Sequence, residues 1–160
     1  MNVGIIGPRP SVCNKIEGTA EIAGMIVDNV IGRGHHVSVM VTLGFSMDVL
    51  RVLKNRGGLY DIYLWGPVMR ITKKWMLDGD REFVYNLLTR ASNVIVAGTR
   101  LSKKAGLAKR NRMFCSACDA VIVFSPGKLD GDLAEVASMA RRLHVLRSRD
   151  EVESFNWDDL

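Results

Sequence analysis

Six short apolar runs recur along the chain, at Asn2 to Ile6, Val37 to Val41, Tyr60 to Trp65, Asn93 to Ala97, Ala120 to Phe124 and His144 to Leu146, and the stretches between them are long enough for helices. Ala-Val-Ile-Val-Phe at 120–124 shows no polar alternation, which predicts a strand buried on both faces. Between the first two runs, Ile16, Ala20, Ala23, Ile26, Val27, Val30 and Ile31 recur at helical spacing, and Gly32 and Gly34 end that helix. Met47 to Asn55, Asp80 to Ala91, Ala108 to Cys118 and Leu133 to Arg142 read as further helices. Strands alternating with helices require right-handed crossovers, so the expected fold is α/β: a doubly wound, mostly parallel sheet with helices on both faces. Residues 66–77, which hold Arg70, Lys73, Lys74 and Trp75, fall outside that rhythm and read as a lid, a partner surface or an ordinary crossover.

A chain of 160 residues, 48% apolar, suffices for one domain with a sizeable core and is short for two. Residues 1–149 carry 22 Lys and Arg against 12 Asp and Glu, whereas residues 150–160 carry five acids and no base. The expected organisation is a basic domain over 1–149 and an acidic C-terminal tail over 150–160. Such a body suits anionic partners, nucleotides or nucleic acid. No run of about 18 apolar residues is free of charge, and the first residues lack the basic-then-apolar order of an export signal, so no membrane association and a cytoplasmic location are expected.

Cys13, Cys115 and Cys118 are too few for a disulfide framework. Cys115 and Cys118 form a C-x-x-C pair, but no second pair or nearby His completes a zinc site, and they precede a strand where a redox pair follows one. Core packing is their expected role. His35, His36 and His144 flank strands without clustering; neither a metal nor a resident cofactor is expected.

In doubly wound sheets ligands bind outside the carboxyl ends of the strands, which makes the loops there the candidates. Gly7-Pro8-Arg9-Pro10-Ser11 joins a glycine to an arginine and a hydroxyl, suited to phosphate or sugar oxygens; it is not G-x-G-x-x-G, which argues against a nicotinamide cofactor. Thr42 to Asp48 turns from strand to helix through Gly44, with Ser46 or Asp48 placed to cap. Gly98-Thr99 opens onto residues 100–112, six of thirteen cationic and none acidic. Ser125 to Asp132, with Pro126, Gly127 and Gly131, leads into a helix whose first N–H groups suit an anion. Asp130 and Asp132 lie there too, able to cap the helix and set to repel a phosphate, so ribose hydroxyls or a cationic group compete for them.

Taken in order, these pieces resemble the SLOG superfamily of Rossmann-like proteins, which includes DNA-processing protein A, the YpsA-like proteins and the Lonely Guy phosphoribohydrolases. Gly7 to Ser11 resembles the Gly-Ser-Arg-x-x-Ser turn, and VTLGFSMD at 41–48 resembles the glycine turn after the second strand. Arg110-Asn111-Arg112-Met113, followed by Ser116 to Ala120, resembles the Arg-Asn helix that leads into a Ser/Ala-Asp-Ala strand start, and Asp130 to Leu133 resembles the Ser-Gly-Ser-Leu or Gly-Gly-Thr helix start. The resemblance spans most of the chain and implies binding of nucleotides, of nucleotide-derived signals or, in the DNA-processing branch, of single-stranded DNA. It also implies N-glycosidic cleavage in the Lonely Guy branch, whose Arg and Pro-Gly-Gly-x-Gly-Thr-x-x-Glu glutamate fall on Arg110 and Glu135. In that chemistry Glu135 would stabilise or attack the sugar cation while Arg110 holds phosphate. Here Lys128 replaces the second glycine, Asp132 replaces the threonine, and one extra residue separates Pro126 from Gly131.

The candidate ligand residues are therefore Gly7, Pro8, Arg9, Ser11, Thr42, Gly44, Gly98, Thr99, Arg110, Asn111, Pro126, Gly127, Gly131 and Asp132, with Glu135 and Arg110 as candidate catalysts. A binder of a nucleotide-derived small molecule, acting as sensor or sequestering protein, ranks first, because the glycine turns and cations survive while the cradle is altered. A nucleoside 5'-monophosphate N-glycosidase comes second. Single-stranded DNA binding, suggested by DGDLAEVASMA and the basic body, comes third, since few aromatics lie near the basic run. A homodimer or higher homo-oligomer follows the family habit. Lys109, Arg110 and Arg112 read as the start of a helix, where cations oppose the dipole by up to about 1 kcal/mol each, so an anion is expected to offset them.

Overall fold

The computed structural model describes residues 1–73 and 78–160. Strands β1 (Asn2–Ile6), β2 (His36–Met40), β3 (Tyr60–Leu64), β4 (Asn93–Val96), β5 (Ala120–Phe124) and β6 (Leu143–Leu146) pair in parallel in the order β4-β3-β2-β1-β5-β6. The expected doubly wound α/β architecture is what forms. The chain winds outward from β1 to β4, then returns to lay β5 on the other side of β1, so the strand order reverses between β1 and β5. Loops after these two strands diverge and open a crevice.

The helices are α1 (Pro10–Cys13), α2 (Thr19–Gly32), α3 (Phe45–Arg56), α4 (Val68–Thr72), α5 (Asp78–Leu88), α6 (Lys103–Ala117), α7 (Gly131–Met139) and α8 (Arg149–Ser154), followed by a 3-10 turn at Trp157–Asp159. Residues along β5 alternate between two cores. Ala120, Ile122 and Phe124 join Ile26, Leu50 and Leu87 from α2, α3 and α5, whereas Val121 and Val123 meet Phe114 of α6 and Val136 of α7. Both sides of the strand are dry, as its unbroken apolar run requires.

Besides α3, which starts at Phe45 so that neither Ser46 nor Asp48 caps it, and α5, which ends at Leu88 short of Ala91, three details depart from expectation. First, α6 begins at Lys103, not Ala108, because Ser102 caps it, its hydroxyl accepting from Ala105 N at 3.2 Å. Gly106 is a close-approach residue: a Cβ there would stand 2.6 Å from the Trp65 carbonyl oxygen. Lys109, Arg110 and Arg112 consequently lie in mid-helix, and the dipole penalty falls on Lys103 and Lys104 instead. Second, α7 spans Gly131–Met139, earlier at both ends than the expected Leu133 to Arg142. Third, part of the 66–77 stretch forms the short helix α4, started by Pro67. Lys74 and Trp75 lie outside the described residues.

Residues 150–160 pack onto the body. Val152, Trp157 and Leu160 are buried in the α2 core, Phe155 sits edge-on between His144 and Trp157, and Asp158 meets Arg33 at 2.9 Å. No described helix is long and apolar enough to cross a membrane.

Candidate functional site

Two adjoining cavities lie at the carboxyl ends of the strands. One, about 550 Å³, opens at the β1/β5 reversal between Pro8 and Arg9 on one side and Ser125, Gly127, Lys128 and Asp130 on the other. The second, about 270 Å³, lies beyond β2 and β3, with apolar walls from Leu43, Trp65 and Leu107 and polar groups from Thr42, Lys103 and Arg110. Asp132 lines both, so they meet at its side chain. Another groove, of about 510 Å³ between α6 and β4, is lined by Tyr63, Ile95 and Met113, remote from the loops.

The joint between the two cavities is a network of four side chains carried by α6 and α7. Arg110 is 1% exposed. Its Nε and Nη2 donate to Asn111 Oδ1 at 3.1 and 2.8 Å, and Nη2 donates again to Asp132 Oδ2 at 3.0 Å. Asn111, also buried, spends both Nδ2 hydrogens on carboxylates, Asp132 Oδ1 and Glu135 Oε2, each at 2.9 Å. Nη1 of Arg110 is buried and has no acceptor. A guanidinium has five N–H groups, and three of them are used here. Burial pulls the Arg110 pKa below its ordinary value, with Asp132 and Glu135 opposing the shift.

The anion expected to offset the cations of α6 is therefore the chain's own: Asp132, standing where the resembling family has threonine, neutralises Arg110. A phosphate on Arg110, as the resemblance implied, would have to compete with that carboxylate.

Of the candidate residues, Pro8, Arg9, Gly127, Gly131 and Asp132 gather at the first cavity, and Thr42, Arg110 and Asp132 at the second. Gly44 lines a separate hollow beside Cys13 and Asp48. Gly7, Ser11, Gly98, Thr99, Asn111, Pro126 and Glu135 do not line these cavities. Asn111 acts behind the surface, orienting the two carboxylates. Arg9 Nη2 stands 3.5 Å from Asp130 Oδ2, an exposed pair across the mouth of the first cavity, of little energetic weight. Trp65, Lys103 and Leu107 were not singled out as ligand residues in the sequence; the available signal was the glycine at 106, needed by the Trp65 backbone.

Both α6 thiols are buried, and burial pushes Cys115 up to about 11 and Cys118 up to about 12, so neither is a ready nucleophile. Among the described residues no group of His, Cys, Asp and Glu is arranged to hold a metal ion.

No family model matches the chain, and no curated protein does. Solved structures match along nearly the whole chain. They include the molybdenum cofactor carrier protein of Chlamydomonas reinhardtii, with TM-score 0.60 and 15% identity over 96% of this chain and 81% of that one. DNA processing protein A of Streptococcus pneumoniae aligns with TM-score 0.56 and 14% identity, over 97% of this chain and 62% of that one. Its Helicobacter pylori counterpart, described for its single-stranded DNA binding mode, aligns with TM-score 0.61 and 15% identity, over 99% of this chain and 77% of that one. These proteins share the fold of this chain, a doubly wound, Rossmann-like α/β fold. At such identities the likeness concerns the fold, and this chain spans less than two thirds of the pneumococcal protein.

Proposed function

We propose that the protein binds a small nucleotide-derived ligand in the crevice at the carboxyl ends of β1, β2, β3 and β5, as a sensor or sequestering protein. The observation that carries the reading is Arg110 Nη1, a buried charged donor without an acceptor, on a residue that lines a cavity. Leaving such a donor unpaired costs about 1–3 kcal/mol or more, and a ligand acceptor removes that cost. Binding of a molybdenum cofactor or of single-stranded DNA by proteins of the same fold is consistent with a crevice used for anionic, ring-bearing ligands. A thermal-shift series with nucleoside monophosphates, cyclic dinucleotides and ADP-ribose derivatives tests it. A specific ligand at 100 times its Kd stabilises by about 2.7 kcal/mol; if no compound shifts the melting temperature, the reading fails.

One observation favours single-stranded DNA as a second reading. Arg100, Lys103, Lys104, Lys109 and Arg112 are exposed along and before α6, and none joins an ion pair among the described residues, whereas Arg33 after α2, Arg51 and Arg56 of α3 and Arg149 of α8 are paired. Oligonucleotide binding that weakens steeply with salt favours DNA, because phosphate contacts release counterions; a small ligand in the cleft shows a shallower dependence.

Hydrolysis of nucleoside 5'-monophosphates is the weaker alternative, since Glu135 is engaged by Asn111 and does not line the cavities. Free-base release equal in the wild type and Glu135→Gln at background rate removes it. Self-association as a homodimer is part of the proposal, and sedimentation velocity checks it.

A further inference from the structure

We infer that the Arg110 cavity receives the nucleobase end of the ligand and rejects phosphate, with Asp132 as the residue that sets this preference. The inference rests on the nucleotide-ligand reading above and specifies which part of such a ligand meets which wall.

The network beneath the cavity holds one guanidinium against two carboxylates, Asp132 and Glu135. Asp132 is 40% exposed, so its charge is presented to whatever enters. A phosphate dianion placed against Arg110 Nη1 would sit beside that carboxylate, and like charges a few ångströms apart repel strongly where water is partly excluded. Lys103 also lines the cavity and is exposed; its attraction for a phosphate, screened by solvent as the repulsion from Asp132 is, opposes this preference.

What the cavity still offers is a mixed hydrogen-bonding edge: free lone pairs on the Asp132 oxygens, the Thr42 hydroxyl, which both donates and accepts, and, beneath the surface of Arg110, the buried and unpaired Nη1. The complement is an uncharged group with an acceptor next to a donor. Leu43, Trp65, Ile71 and Leu107 wall the same space, so the occupant is apolar on its faces and polar at its edge. A nucleobase has that form; a phosphate does not. The phosphate end then falls to the larger cavity at the β1/β5 reversal. Asp130 and Asp132 line it too, but Arg9 is paired with Asp130 at 3.5 Å, and Lys128 is left with no ion-pair partner among the described residues, so Lys128 is the cation that meets the phosphate while the ligand lies across Asp132.

Calorimetric titration of the full chain with orthophosphate, with nucleosides and with the corresponding 5'-monophosphates tests the assignment. In the wild type, nucleosides bind and compete with the monophosphates, and orthophosphate does not displace them. Asp132→Asn keeps the size and one oxygen but removes the charge: nucleoside affinity is expected to fall at least tenfold and orthophosphate affinity to rise at least tenfold. Lys128→Ala weakens the monophosphate towards the nucleoside value and leaves the nucleoside within twofold. The wild-type competition needs no variant, so it decides the matter even if Asp132→Asn fails to fold. Monophosphate binding without nucleoside competition, or orthophosphate binding that is lost in Arg110→Lys, overturns this inference alone. Binding of neither nucleosides nor monophosphates to the wild type overturns the nucleotide reading itself.

Discussion

Gly44 and Pro8 are in contact where the loops after β2 and β1 cross: the Pro8 carbonyl accepts from Phe45 N at 3.1 Å, and a Cβ on Gly44 would stand 2.5 Å from that same oxygen. With φ 90° and ψ −140°, Gly44 also occupies a backbone region that side chains avoid. Phe45, one residue on, is fully buried against Phe124, so the crossing ties the first loop to the core beneath the crevice.

Gly44→Ala is accordingly expected to cost about 2–3 kcal/mol, a fall of about 5–10 °C in melting temperature for a chain of this size. Gly127→Ala, where a Cβ meets nothing within 4 Å, is the control and should stay within about 0.5 kcal/mol. Thermal melts followed by circular dichroism separate the two; equal effects would mean that the crossing has no special role.

Asn111 holds Asp132 and Glu135 at 2.9 Å each while accepting from Arg110, so its truncation leaves Glu135 and two guanidinium donors without these partners at once and Asp132 with Arg110 alone. Asn111→Ala is expected to cost about 2–4 kcal/mol in urea unfolding. Adding Glu135→Gln in that background should recover about 0.5–1 kcal/mol by removing one of the facing charges. Purely additive losses would show that the four side chains do not act as a network.

The strands were legible because a sheet buried on both sides leaves unbroken apolar runs, as in β5, whereas their order in the sheet was not, since crossovers fix handedness alone. The loop positions of Arg9 and Thr42 followed from the expectation that ligands bind beyond the strand ends, whereas Asp132 lies in the first turn of α7. What the chain concealed is how α6 starts and what faces Arg110. Lys103 and Lys104 resemble a solvated loop, and Gly106 gains its meaning only once the Trp65 backbone is seen against it. The pairing of Arg110 with Asp132 joins residues 22 apart on two helices. Only the packing of α6 on α7 brings them together, and periodicity carries no information about that distance.

Cys115 and Cys118 show how burial in α6 sets a pH limit. Burial raises both thiols above the ordinary value of 9.0, to about 11 and about 12. Below pH 9 the folded and unfolded chains both keep these protons. Between pH 9 and about 11–12 the unfolded chain releases protons that the native one retains, so stability falls as pH rises. Tyr60 and Tyr63, also pushed up by burial, add to the loss above pH 10. Urea midpoints at pH 8, 9.5 and 10.5 should therefore decline, and Cys118→Ala should make the decline shallower. An unchanged slope in that variant would assign the loss to other groups.

His144 gives the opposite sign at acid pH. Its ring lies edge-on to Phe155 at 5.1 Å, and Phe155 lies against Trp157, so the imidazole is part of the seat on which the C-terminal residues rest. Burial, with Arg142 adding repulsion and Asp159 opposing, lowers its pKa below the ordinary 6.5. A group harder to protonate in the folded state adds stability above its unfolded pKa, and that contribution is lost as pH falls through the folded value. Unfolding midpoints are expected to drop between pH 7.5 and 5.5, with His144→Leu flattening part of the decline; His35, lowered for a similar reason, supplies another part. Proton NMR titration of the imidazole reads the cause directly: an apparent pKa for His144 at or above 6.5 would show that protonation does not loosen this seat.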